Sequence, residues 1–327
     1  MKAFAYVNAA NEKEAIAALS PERGKVLPLA GGQDLLGLMK DYVAQPDRLV
    51  NVKNLDRTIT KTPDGGLKIG SAVTVADLAE HADVVRLYPA LAQAAAEVGS
   101  PQIRNAGTVG GNLNQRPRCW YYRNEEFNCL KKGGSRCFAV DGENQYHAIF
   151  GDGPCHIVHP SSLAVPAVAL GARFRVVGPA GEREVKAEDY YVMPDKNLFG
   201  ETVLAPNELM THMILPAPGA VKTATYDVRY KQSHDWPLAS ATVVLDMNGA
   251  TVRGARVVLG SVAPIPWRSQ PAEAALAGKT ITDQTAMAAA DAAIAGAKPM
   301  SQNKYKVQIT RTAVKRAILK AAGQKVV

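Results

Sequence analysis

The sequence has no run of 18 uncharged apolar residues, and its mean hydropathy is −0.11. A membrane-spanning helix is therefore not expected. No apolar stretch precedes the first charges of MKAFAYVNAANEKEAIAALS, so no secretory signal is expected either. Internal repeats and low-complexity tracts are missing. So are G-x-G-x-x-G and Walker A loops, which argues against Rossmann and P-loop sites. The net charge is +8, yet no basic run is interleaved with aromatics, so nucleic acid is not an expected partner. Local basic excesses, around Arg116–Arg136 and at Lys304, Lys306, Arg311, Lys315, Arg316, Lys320 and Lys325, read as solvated or partner-facing surface. With 47% hydrophobic and 21% charged residues the chain has the means to bury a core, which excludes widespread disorder. Its 327 residues suggest about two domains.

Cysteine is scarce and confined. Cys119, Cys129, Cys137 and Cys155 are the only four, and they fall in one window. Three readings compete for such a group. Two disulfides are disfavoured in a large chain that needs no staples. Structural zinc usually takes closely paired ligands, whereas the spacings here are C-x9-C, C-x7-C and C-x17-C. A four-thiolate iron–sulfur cluster tolerates widely spaced ligands on one folded loop. Arg118, Lys131, Lys132 and Arg136 lie around the cysteines and would favour thiolates, a feature that zinc and a cluster share. His147, His156 and His159 sit in or beside the window and are left outside the ligand set.

Hydrophobic patterning predicts an α+β chain. Strands are expected at Ala3–Val7, Lys25–Ala30, Arg48–Val52, Leu67–Gly70, Ala172–Val177 and Glu208–Leu215, and helices at Glu12–Leu19, Val75–Glu80 and Val84–Val98. Gly99–Asn114 reads as loop and Gly181–Asn207 as irregular. Pro216-Ala-Pro-Gly219 is the expected linker. Beyond it lie three strand signals, two alanine-rich helices and a last helix over Tyr305–Ala322. Two glycine clusters stand at element junctions: Ala30-Gly31-Gly32-Gln33-Asp34 between a strand and a helix, and Gly107-Thr108-Val109-Gly110-Gly111-Asn112. Glycine allows close backbone approach, and free N–H groups at a helix start suit an anion such as a pyrophosphate.

These segments carry a resemblance. Ala30-Gly-Gly-Gln-Asp-Leu-Leu36, Gln102-Ile-Arg-Asn-Ala-Gly-Thr-Val-Gly-Gly-Asn-Leu113, Pro206-Asn-Glu-Leu209 and the C-terminal Asn303-Lys-Tyr-Lys-Val together resemble the flavin-binding subunit of the xanthine oxidase (molybdenum hydroxylase) family. Their order and spacing agree over essentially the whole chain. The cysteine-bearing insert at 115–159 resembles that of bacterial periplasmic aldehyde oxidoreductases and of 4-hydroxybenzoyl-CoA reductase, inserts that bind a [4Fe–4S] cluster. Gln115-Arg-Pro-Arg-Cys-Trp-Tyr-Tyr122 and Cys155-His-Ile-Val-His-Pro160 are closest to the aldehyde oxidoreductase type.

The resemblance implies a two-part FAD-binding fold of the vanillyl-alcohol-oxidase type over 1–217 (parts 1–55 and 56–217). An α+β C-terminal domain would follow over 222–327. FAD would lie between the parts, its pyrophosphate on Leu29, Ala30, Gly31, Gly32, Gln33, Asp34 and Leu35. Thr108, Gly110, Gly111 and Asn112 would face the flavin, and Lys231 of Tyr230-Lys-Gln-Ser233 would approach its ring. Ser162 stands where the family usually has Asp, so a carboxylate contact is lost there. The implied cluster ligands are Cys119, Cys129, Cys137 and Cys155. Implied partners are a large molybdenum-cofactor subunit, a small subunit with two [2Fe–2S] centres, and an external electron acceptor. The resembled complexes oxidise an aldehyde to a carboxylic acid with water as oxygen source, on another chain. No acid–base pair or nucleophile is then expected here, the flavin ring carrying the chemistry. The expected compartment is the cytoplasm, or the periplasm by co-export with a signal-bearing partner. Alternatives are a subunit of a 4-hydroxybenzoyl-CoA reductase-like enzyme, a stand-alone flavin oxidoreductase, and a zinc-stapled binding module.

Overall fold

A computed structural model describes residues 1–231 and 234–326. The N-terminal part is a three-stranded parallel sheet with Arg48–Asn51 in the middle, flanked by Ala5–Asn8 and Val26–Leu29. Pro28 is tolerated because its strand is at an edge, where a missing N–H breaks no ladder. Asn11 caps helix Glu12–Ala18 by accepting from the Glu14 N–H at 3.0 Å. Ala9, Ala15, Val26, Val50 and Leu55 form its small core.

The second part is a five-stranded antiparallel sheet, ordered Ile59–Lys61, Leu67–Gly70, Leu209–Leu215, Arg173–Gly178 and Gly181–Lys186. The central strand Leu209–Leu215 is buried on both faces. Three differences from the sequence reading have clear causes. The expected helix over 84–98 is two helices, Ala82–Leu87 and Pro89–Ala96, because Pro89 lacks a donor and Tyr88 leaves the helical region at φ −135°. The expected loop over 99–114 contains helices Pro101–Ala106 and Val109–Leu113, started by Ser100 and Thr108 hydroxyls. Gly181–Lys186 is an exposed edge strand of mostly charged residues, so it carries no apolar alternation to read.

Past Pro216–Gly219 a four-stranded antiparallel sheet runs Trp267–Arg268, Thr251–Gly260, Ala239–Asn248, Val221–Val228. Helices Gln270–Leu276, Asp283–Ile294 and Tyr305–Ala321 cover one of its faces, and alanines dominate where they pack together. Among the described residues no helix is long and apolar enough to cross a membrane.

Lys306 corrects the sequence reading. It is 1% exposed rather than solvated. Its ammonium donates to the carbonyls of Tyr146 (3.1 Å), His147 (3.0 Å) and Ser261 (2.6 Å). Asn303, also buried, donates to the carbonyls of His147 and Ala148. The final helix thus clamps the cysteine-bearing insert to the C-terminal sheet.

Candidate functional site

A cleft of about 500 Å3 opens between the three parts of the fold, within the size range of small-molecule sites. Leu29, Ala30, Gly31, Gly32, Gln33, Asp34 and Leu35 form one wall; Thr108, Gly110, Gly111, Asn112 and Ser162 form another. Gly31 lets the two walls touch. A β-carbon there would stand 1.9 Å from the carbonyl oxygen of Ala106 and 2.9 Å from the α-carbon of Gly107. The backbone N–H groups of Gly31, Gly32, Gln33 and Asp34 have no protein acceptor among the described residues, a row of donors suited to a phosphate anion. The Thr108 hydroxyl accepts from the Gly111 N–H at 3.0 Å, which leaves its own O–H free to donate. Asn112 accepts from Ser161 at 2.7 Å, and the Ser161 hydroxyl in turn accepts from the Ala164 N–H. Ser161 was invisible to a reading that fixed on Ser162.

Lys231 is exposed and does not line the cleft. Its neighbours Gln232 and Ser233 lie outside the described residues. The C-terminal part instead contributes His234, Asp235 and Trp236 to the lining.

Arg118, read from sequence as a cysteine neighbour, enters this cleft. Its guanidinium lies 4.8 Å from the Trp236 ring and 3.1 Å from Asp34. Burial pulls its pKa down to about 10, against the pull of Asp34. Asp34 anchors the start of the insert. Its carboxylate also accepts from the Arg116 N–H at 2.7 Å and from the Arg123 guanidinium. Long-range pairs of this kind, 82 and 89 residues apart, leave no local sequence signal.

The next residue along, Cys119, faces a different space. Cys119, Cys129, Cys137 and Cys155 line one small cavity of about 10 Å3, with Tyr121, Phe138 and His147 around it. All four are free thiols, so the disulfide reading fails. Local backbone explains the convergence. Cys119 starts helix Trp120–Arg123, and Cys129 starts the 3-10 turn Leu130–Lys132. Leu130 donates to the Arg136 carbonyl at 3.0 Å, bringing Cys137 back beside Cys129. Gly134 is needed in that turn, since a β-carbon would meet the Asn128 carbonyl at 1.7 Å.

Burial pushes the Cys119 thiol up to about 12 and Cys155 up to about 11. The Tyr121 and Tyr122 amides oppose this at Cys119, as does the Ile157 amide at Cys155. His147 lies 3.3 Å from the Cys119 sulfur, and burial lowers its pKa to about 4. Among the described residues no three His, Cys, Asp or Glu side chains come close enough together to hold one metal ion. A single tetrahedral ion needs its ligands on one point. A cluster spreads its thiolates over several irons, and four sulfurs around a shared cavity with no carboxylate in its lining fit that donor set.

Residues 2–218 match the family described as the FAD binding domain in molybdopterin dehydrogenase, and residues 224–321 match the CO dehydrogenase flavoprotein C-terminal domain. The chain belongs to the FAD-binding medium subunits of the molybdenum hydroxylase family. This flavin subunit is 36% identical over 329 residues to the aldehyde oxidoreductase FAD-binding subunit PaoB of Escherichia coli (strain K12), covering 99% of this chain and 100% of that one. It is 29% identical to the carbon monoxide dehydrogenase medium chain of Hydrogenophaga pseudoflava, over 93% and 92% of the two chains. A solved structure of the carbon monoxide dehydrogenase from Hydrogenophaga pseudoflava, lacking the Mo-pyranopterin moiety of its molybdenum cofactor, superposes with a TM-score of 0.76 at 29% identity, covering 99% of this chain and 98% of that one. The α+β fold of a FAD-binding domain followed by a flavoprotein C-terminal domain is thereby established for the flavin subunit.

Proposed function

We propose that this flavin subunit carries both FAD and a [4Fe–4S] cluster, and serves as the electron-transfer subunit of a molybdenum-dependent aldehyde oxidoreductase. One observation carries the reading: consecutive residues, Arg118 and Cys119, line the FAD cleft and the four-cysteine cavity. The insert that would hold the cluster is therefore wired directly into the wall of the flavin site. The 36% identity to PaoB, named as an aldehyde oxidoreductase subunit, supports the aldehyde as substrate class. When bound, FAD exchanges electrons in ones or twos and an iron–sulfur cluster exchanges them singly.

The residues of this chain would bind, orient and shield. The Gly31–Asp34 amides would hold the pyrophosphate, and Cys119, Cys129, Cys137 and Cys155 the cluster. Arg118 would place a positive charge beside the flavin, and Asp34 would fix that charge by pairing with it. Large molybdenum and small [2Fe–2S] subunits and an external acceptor are the proposed partners. The domain limits 1–217 and 222–327 are retained in this reading.

The Cys137→Ser variant tests the assignment. Its visible spectrum is expected to lose the broad iron absorption near 400 nm while the flavin band persists, with metal analysis showing at least half the iron gone. An unchanged iron content would remove Cys137 from the ligand set, and one zinc per chain in the parent would support the stapled-module reading instead.

A further inference from the structure

A second cleft, of about 470 Å3, adjoins the cysteine cavity and shares no lining residue with the flavin cleft. Three segments distant in sequence meet there: Arg23 and Tyr42 from the N-terminal part, Arg116 and Lys132 from the insert, and Phe199. Its charge is unbalanced. Glu201 answers Arg116 at 2.7 Å and the buried Lys131 at 2.6 Å. Arg23 and Lys132 form no salt bridge among the described residues; they donate to the Phe199 and Asn124 carbonyls, and Glu125 acts on Lys132 only through space. Glu125 is the one acid in the described lining. Two aromatic rings stand half exposed there, Tyr42 at 44% and Phe199 at 46%. Tyr42 holds φ at +55°, a conformation that a bulky side chain rarely adopts and that keeps its ring beside the cleft.

Four cations, Arg23, Arg116, Lys131 and Lys132, against the two carboxylates Glu125 and Glu201 leave a positive excess next to exposed rings, which matches a flat ring system bearing negative charge. The volume suits a nucleotide rather than an inorganic ion. We propose that this cleft is a second ligand site, separate from the flavin cleft, for a planar aromatic anion of nucleotide size. Tyr122 and Lys131 line both this cleft and the cysteine cavity, so an occupant would rest against that cavity's outer wall.

The test is calorimetric titration of the FAD-loaded full-length chain with ADP at low salt. ADP is expected to bind without displacing flavin, about tenfold or more tighter than adenosine or inorganic phosphate alone. Arg23→Glu, a change at an exposed residue, is expected to weaken it about tenfold or more. Tyr42→Asn keeps a residue that tolerates positive φ, removes the ring, and is expected to weaken it about fivefold. Absence of ADP binding, binding that releases flavin, or equal affinity in both variants would overturn the proposal.

Discussion

Gly31→Ala is expected to yield a chain that retains almost no flavin and is less stable by about 3 kcal/mol, at the upper end of the cost of overpacking. The new methyl group would sit 1.9 Å from the Ala106 oxygen and 2.6 Å from its carbonyl carbon. Both are backbone atoms, held by the Gly107 N–H bond to Ile103 at 2.7 Å and by the Gly107 carbonyl, which accepts from Val75. No side chain is there to swing away, so the two loops must separate and the cleft must widen. Gly37→Ala, six residues on, is the control. Its β-carbon would meet nothing closer than the Arg123 guanidinium at 4.0 Å, and inside helix Leu35–Lys40 the change should raise stability by roughly 0.5–1 kcal/mol. Thermal melts and flavin absorbance per chain after gel filtration distinguish the pair. Full flavin occupancy in Gly31→Ala would mean that the walls do not meet as described.

Lys306→Met is the second change with a large expected effect. Removing the ammonium strips the Tyr146 and Ser261 carbonyls of this donor, while the His147 carbonyl keeps Asn303. Two part-buried carbonyls left without this donor cost about 2 kcal/mol, which lowers Tm by roughly 10 °C in a domain of about 100 residues. Ser261 adds to the cost. It holds φ at +61°, a conformation that surrounding contacts must impose. The insert should then loosen at 144–149, and limited proteolysis should cut near Tyr146. Lys304→Met, two residues earlier and exposed, should melt like the parent. A melt for Lys306→Met within about 2 °C of the parent would show that the clamp contributes little.

The features that could be read in the sequence were those encoded over short spans. Glycines at Gly31 and Gly110 and cysteines gathered in one window each leave a local mark, and the structure brings twelve of the thirteen expected cofactor residues to one cleft. The features that escaped depend on distance along the chain. Asp34 becomes an anchor only when residues 82 and 89 positions away fold back onto it. Lys306 resembles any surface cation until three carbonyls surround it. Arg118 and Cys119 line separate spaces where the chain turns into helix Trp120–Arg123 at its cap Cys119, a change of direction that residue order alone does not specify. Likewise Pro89 could be seen in the sequence, but whether it would kink a long helix or begin a new one was decided by the non-helical Tyr88.

The most direct test is to count iron, acid-labile sulfide and FAD per chain in protein purified without oxygen. About four irons, about four sulfides and one FAD are predicted if the cysteine cavity and the glycine-walled cleft are each filled as proposed. One FAD with neither iron nor sulfide, even after anaerobic reconstitution, would contradict it.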